Sequence, residues 1–157
     1  MIDDASKPVA LHPELDRLLS RFFSGGLPMS FVDGRWVASS NRMDTFDPSV
    51  GHVSTTVPDC SGSEVAEAIE LASTAQNLWE GLSLLERIDC LRSFASELSQ
   101  AEDDLALLES IDTGNPMRAT RRDMQFAQTY LREWPAVAQT QAGRATQPFA
   151  DGLSYTL

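Results

Sequence analysis

Apolar residues recur along this chain with two different periods, and the change of period divides it into segments. From Pro13 to Phe23, the residues Leu15, Leu18, Leu19, Phe22 and Phe23 fall at helical spacing, and Gly25-Gly26 stops the run. A short helix is therefore predicted within an N-terminal extension, residues 1–30. From Phe31 the period shortens to two. Asp33-Gly34 between Phe31-Val32 and Trp36-Val37 is a two-residue hairpin signal, because a type I′ turn needs positive φ at both central positions. Pro48 to Gly51 supplies a second turn, flanked by Thr45-Phe46 and by the β-branched alternation of Val53, Thr55 and Val57. Residues 31–57 are expected to form antiparallel sheet.

Helical spacing then returns. Ser61-Gly62-Ser63-Glu64 reads as a capping box, in which a hydroxyl and a carboxylate each satisfy an orphan amide, and Val65, Ala68, Ile69, Ala72, Ala75 and Trp79 follow on one face. Ser83-Leu84-Leu85-Glu86 repeats the device and opens a second run through Leu84, Ile88, Leu91, Ala95 and Leu98. A break is predicted between Ser99 and Asp104, after which Leu105, Leu108 and Ile111 resume the stripe, and Gly114-Asn115-Pro116 closes it. A third long helix is expected from Met117 or later to about Ala142, with Pro135 kinking it or ending its regular hydrogen bonding. Internal repeats and low-complexity tracts are absent from the sequence.

Composition narrows the chemistry. A chain of 157 residues with 42% hydrophobic content can bury one modest core. Twelve basic residues against 23 acidic ones give a net charge of -11, which repels phosphate backbones and anionic membrane surfaces, so neither nucleic acid nor membrane is an expected partner. The amphipathic stripe at Leu15 to Phe23 keeps a membrane-surface reading open, although its polar face carries acids beside Arg17 and Arg21. Cys60 and Cys90 are isolated, with neither zinc-ligand nor disulfide-framework spacing. Apolar runs are too short to span a bilayer and Met1-Ile2-Asp3-Asp4 is acidic where a secretory signal is basic, so a cytoplasmic location is expected.

The segment Leu108-Glu109-Ser110-Ile111-Asp112-Thr113-Gly114-Asn115-Pro116 resembles the Leu-Glu-x-Leu-Asp-x-Gly-Lys-Pro turn of the NAD(P)-dependent aldehyde dehydrogenases, with Asn115 in place of the lysine. Other segments resemble that family in the same order along the chain. Phe31-Val32-Asp33-Gly34-Arg35-Trp36 looks like its opening hairpin, and Phe46-Asp47-Pro48-Ser49-Val50-Gly51-His52-Val53 like its Asn-Pro-x-Thr-Gly-x-Val strand. Trp79, Ser83, Glu86, Arg87 and Leu91 look like its Trp…Ser-x-x-Glu-Arg…Leu helix pair. Asp123 to Ala127 with Tyr130, Leu131 and Arg132 looks like a further helix, and Ser154-Tyr155-Thr156-Leu157 like the start of a strand.

The resemblance implies an α/β fold, specifically the N-terminal portion of the aldehyde dehydrogenase fold. β-hairpins would be followed by three long helices and the start of an oligomerisation strand, without the complete Rossmann-like sheet; residues 31–157 would form this partial cofactor-side domain. It also implies a parent activity, oxidation of an aldehyde to a carboxylic acid by a cysteine nucleophile, NAD or NADP and a glutamate-activated water. The family's cysteine and glutamate regions would lie beyond Leu157, so the chain is expected to be an N-terminal fragment, inactive and without cofactor by itself. A complete enzyme alone would take the aldehyde. Two further readings stay open: a non-catalytic folding or interaction module, and one subunit of a split enzyme completed by a downstream half. Homo-oligomerisation is a further expectation.

Several residues are candidates for specific roles. By resemblance, the Asp112 carboxylate and the Phe46 carbonyl would belong to a monovalent-cation site, incomplete here because a hard cation needs more oxygens; Asp112 accepting hydrogen bonds from turn amides is the plainer alternative. Arg122, Phe126 and Tyr130 share one helix face at i, i+4 and i+8, and by resemblance line the substrate tunnel, with Arg122 suggesting an acidic aldehyde or a side chain directed elsewhere. Core packing is the alternative for the two aromatics. Cys60 and Cys90 lack the surroundings of a nucleophile, and no glycine-rich dinucleotide cradle appears, so neither a catalytic nor a cofactor-binding residue is expected.

Overall fold

The computed structural model describes residues 12–140, together with the backbone of residues 145–146 and 154–155. Helix α1, Leu15–Phe22, lies where the apolar stripe predicts it, and Gly25 and Gly26 follow it at φ 82° and 71°. Strands β1, Ser30–Val32, and β2, Arg35–Val37, pair through Asp33 and Gly34, whose φ values of 50° and 73° meet the requirement of the tight turn. Phe31 sits opposite Trp36, their rings 5.0 Å apart edge to face, and Phe23 meets the same indole at 5.1 Å.

Strands β3, Arg42–Asp47, and β4, His52–Pro58, form the second hairpin, with a register shift at Thr45/Phe46. Its turn is closed by buried Asp47, whose Oδ1 accepts from Ser49 N at 2.8 Å and Ser49 Oγ at 2.5 Å. Those bonds, the hydroxyl's foremost, hold the Asp47 carboxyl below its ordinary pKa. Both hairpins are antiparallel, as expected for residues 31–57, and they form two separate two-stranded sheets. Side chains tie the surrounding loops instead: the Ser39 hydroxyl lies 3.2 Å from both Asp59 O and Glu64 Oε2 and can donate to one or the other, and Arg42 Nη2 donates to both Pro28 O and Thr56 O.

Both predicted capping boxes form. Ser61 opens α2, Gly62–Gly81, with Glu64 Oε2 accepting from Ser61 N at 2.7 Å; Ser83 opens α3, Leu84–Gln100, with Glu86 Oε2 accepting from Ser83 N at 2.8 Å. The predicted break falls at Ala101, φ -104° and ψ 3°, so the second helical run becomes α3 and α4, Glu102–Thr113. Three acids in the first turn of α4 favour a helix start there, at the positive end of the dipole. Gly114 ends α4 in the left-handed conformation, φ 73°. Helix α5, Met117–Thr140, continues through Pro135, which is buried. Beyond it, β5, Ala145–Thr146, pairs antiparallel with β6, Ser154–Tyr155; residues 141–142, Thr156 and Leu157 lie outside the described residues.

The core has two parts. Leu15, Leu18 and Leu19 of α1 bury against Ile111, with Leu107, Leu108 and Phe23 around them. Each such leucine stabilises the docking by roughly 1.5–3 kcal/mol. Helices α3, α4 and α5 pack through Ile88, Ala95, Ala106, Thr120 and Gln128, all buried, and the Gln128 amide is satisfied by Glu102 Oε2 at 2.8 Å. Helix α2 contributes no buried residue, leaving Val65, Ile69 and Trp79 exposed.

Candidate functional site

The turn after α4 is built on the β3–β4 hairpin. Gly114 lies so close to Pro48 that a Cβ on it would come 2.8 Å from Pro48 Cγ, so only glycine fits both the backbone and the contact. This seats the end of α4 beside the strand carrying Phe46. Asp112 is exposed in the last turn. The turn amides bond elsewhere: Gly114 N donates to Ser110 O at 3.0 Å and Asn115 N to Thr113 Oγ1 at 3.2 Å. Ser110 Oγ completes the turn by donating to Asn115 O at 2.6 Å. Asp112 has no hydrogen-bond partner among the described residues, which contain no cluster of three or more metal-ligating side chains. Asp112 and one carbonyl give a hard cation too few oxygens.

Arg122, Phe126 and Tyr130 lie together on the outer face of α5, with Phe126 53% and Tyr130 60% exposed. Their face is therefore not part of this chain's core. The stripe runs further than the sequence reading took it: Trp134 is 60% exposed, its ring 6.4 Å from that of Tyr130, and Val137 follows at 54%. The same i, i+4 repeat that marked Phe126 and Tyr130 reaches Trp134. The opposite face of α5 is the packed one, through Thr120, Gln128 and Pro135.

Cys60 and Cys90 are both exposed free thiols. Cys60 Sγ lies 3.3 Å from Ser30 Oγ, a neighbour that cannot serve as a general base at neutral pH. Two ion pairs that sequence patterns did not single out join distant helices: Arg17 and Arg21 of α1 both bind the Asp104 carboxylate at the start of α4. Nothing in local spacing announces them, since their partners lie more than 80 residues apart.

The model of the aldehyde dehydrogenase family matches residues 36–157. The chain belongs to the aldehyde dehydrogenase family. It is 32% identical over 130 residues to succinate-semialdehyde dehydrogenase, mitochondrial, of Mus musculus, covering 83% of this chain and 23% of that protein. Glutarate-semialdehyde dehydrogenase of Pseudomonas aeruginosa is 32% identical over 107 residues, 67% of this chain and 22% of the relative. Among solved structures, PnpE in complex with nicotinamide adenine dinucleotide superposes with a TM-score of 0.75 at 27% identity, over 82% of this chain and 27% of that one. An aldehyde dehydrogenase from Brucella melitensis biovar abortus 2308 shares the fold, with a TM-score of 0.76 over 92% of this chain and 29% of that one. The chain thus spans about a quarter of the length of the aldehyde dehydrogenases it matches.

This aldehyde dehydrogenase segment agrees with the architecture its motifs imply: two hairpins, then the helices, then a short strand pair. Among the described residues, the positive-φ glycines sit singly or paired at turns and at the end of a helix, and none opens a helix N-terminus as a phosphate cradle. No step of hydride transfer is therefore assigned to these residues. Among the described residues, no helix is long and apolar enough to cross a membrane.

Proposed function

We propose that this chain supplies the architectural N-terminal segment of an NAD(P)+-dependent aldehyde dehydrogenase and is catalytically silent by itself. The observation that carries the reading is the family match over residues 36–157, which together with the curated alignments spans about a quarter of the relatives' length. In a complete enzyme, Arg122, Phe126 and Tyr130 would form a wall of the substrate tunnel. Relatives named for succinate and glutarate semialdehydes make an aldehyde carrying a carboxylate a natural substrate class, with Arg122 as its counter-charge. Asp112 and the Phe46 carbonyl would give two oxygens of a monovalent-cation site, the remaining ligands coming from elsewhere in the complete protein. The whole enzyme is proposed to be cytoplasmic and oligomeric, with residues 31–157 as one structural unit and residues 1–30 as an extension.

A second reading is favoured by the bare apolar faces of α2 and α5: the chain is an interaction module or one half of a split enzyme, docking on a complementing polypeptide. The test is NADH or NADPH formation from succinate semialdehyde by the purified chain, alone and mixed with the separately expressed remaining portion of a related aldehyde dehydrogenase. Silence alone with activity on mixing supports the proposal. Activity of the chain alone overturns it.

A further inference from the structure

An apolar groove of about 770 Å³ runs between the β3–β4 hairpin and helices α1, α3, α4 and α5, its α5 wall formed by Met124, Ala127 and Leu131 and not by Arg122, Phe126 or Tyr130. Val57, Phe94, Leu98, Leu108, Met124 and Leu131 are among its walls. Among the described residues, only two ionisable ones line it, Glu109 and Asp112, one helical turn apart on α4, and no lysine, arginine or histidine does. Glu109 carries an anomaly: its Oε2 is buried and has no hydrogen-bond partner among the described residues. A buried carboxylate oxygen left without a donor is costly, and native structures normally satisfy it. The groove is of the size and polarity of an organic-ligand site.

We propose that this groove binds an organic cation with an apolar body, an alkyl or aryl primary amine, whose ammonium group is matched by Glu109 with Asp112 beside it. The argument is charge complementarity. Two negative charges with no cation among the described lining residues favour a positive ligand over carboxylates and phosphates, while the walls demand a hydrocarbon body. A bare metal ion is a poor match, because the walls offer few oxygens and the Thr45 hydroxyl is already engaged with Ser54 Oγ at 2.9 Å and Thr55 O at 3.1 Å. The Glu109 charge is shared by both carboxylate oxygens, so an ammonium in the groove lies within its field even while Oε2 faces inward.

The test is a methyl-detected NMR titration of the full chain with n-octylammonium, 1-octanol and octanoate. Expected are shifts at Leu98, Met124 and Leu131, and an octylammonium affinity about tenfold or more above that of octanol, the ratio for a hydrogen bond to a charged group. Octanoate should be weaker than octanol. Glu109→Gln should abolish the amine preference while leaving octanol binding and the circular dichroism spectrum unchanged. Equal affinity for amine and alcohol, shifts outside the groove, or an unaltered preference in Glu109→Gln overturns the proposal. Adding KCl in place of the amine separates this site from the cation site at Asp112 and Phe46: groove shifts induced by K+ alone that survive Glu109→Gln but not Asp112→Asn belong to the metal ion and count against the amine.

Discussion

Arg17 holds Asp104 in a two-pronged grip, Nη1 to Oδ2 at 3.2 Å and Nη2 to Oδ1 at 2.8 Å, joining an N-terminal helix outside the family match to the first turn of α4. Arg21 adds a third bond to the same carboxylate. The hydrogen bonds from Arg17 and then Arg21 hold the Asp104 pKa down to about 2. Because the folded value lies below the ordinary 3.8, this contribution to stability is fully present above about pH 4 and is lost as pH falls toward 2. Urea denaturation should show Asp104→Asn less stable than the parent at pH 7, with the two midpoints converging near pH 2. A gap unchanged by acid would mean that Asp104 is not the titrating partner.

Leu18 is fully buried between α1 and α4. Leu18→Ala should destabilise the chain by about 2–5 kcal/mol, the range for a core leucine, read from the shift in urea midpoint at constant slope. A change below about 0.5 kcal/mol, the scale of surface substitutions, would show that α1 is not docked in solution.

Gly114 and Gly34 share the same φ of 73°, but only at Gly114 would an added Cβ meet a neighbour, Pro48 Cγ at 2.8 Å. Gly34→Ala should cost about 1–2 kcal/mol for the left-handed backbone alone, and Gly114→Ala measurably more. Thermal unfolding of the two variants separates conformational from steric cost; equal losses would discard the contact.

Phe126→Ser and Tyr130→Ser replace exposed rings, so stability should stay within about 0.5 kcal/mol of the parent. In a reconstituted enzyme the same changes should alter the ratio of kcat/KM values between short and long aldehydes. An unchanged ratio would remove these residues from the tunnel wall.

Local signals in the sequence were strong where the physics is local. Asp33-Gly34 could make only a tight turn, and Ser61/Glu64 and Ser83/Glu86 announced helix starts that the structure reproduces as reciprocal capping bonds. The end of α4 was legible for the same reason, since Gly114-Asn115-Pro116 is a stop written in backbone chemistry. The separation of the two hairpins was not, because it depends on Ser39 and Arg42 reaching partners up to 25 positions away. At the candidate site, helical spacing put Arg122, Phe126 and Tyr130 on one face, but spacing cannot say which face of α5 packs inward. Glu109 passed as one more polar helix residue; its isolation emerges only when three helices and a hairpin close around it.

Helix α2 is twenty residues long and places none of them in the interior. Most helical stability in proteins comes from packing one face, and this helix buries none, so its capping box carries more of the burden than it does elsewhere. Its backbone amides should exchange with deuterium far sooner than those of α4, and a protease should cut it before any other helix. Among the described helices the one without a buried residue is also one of the longest, and anything that settles on Val65, Ile69 and Trp79 will register first as a slowing of that exchange.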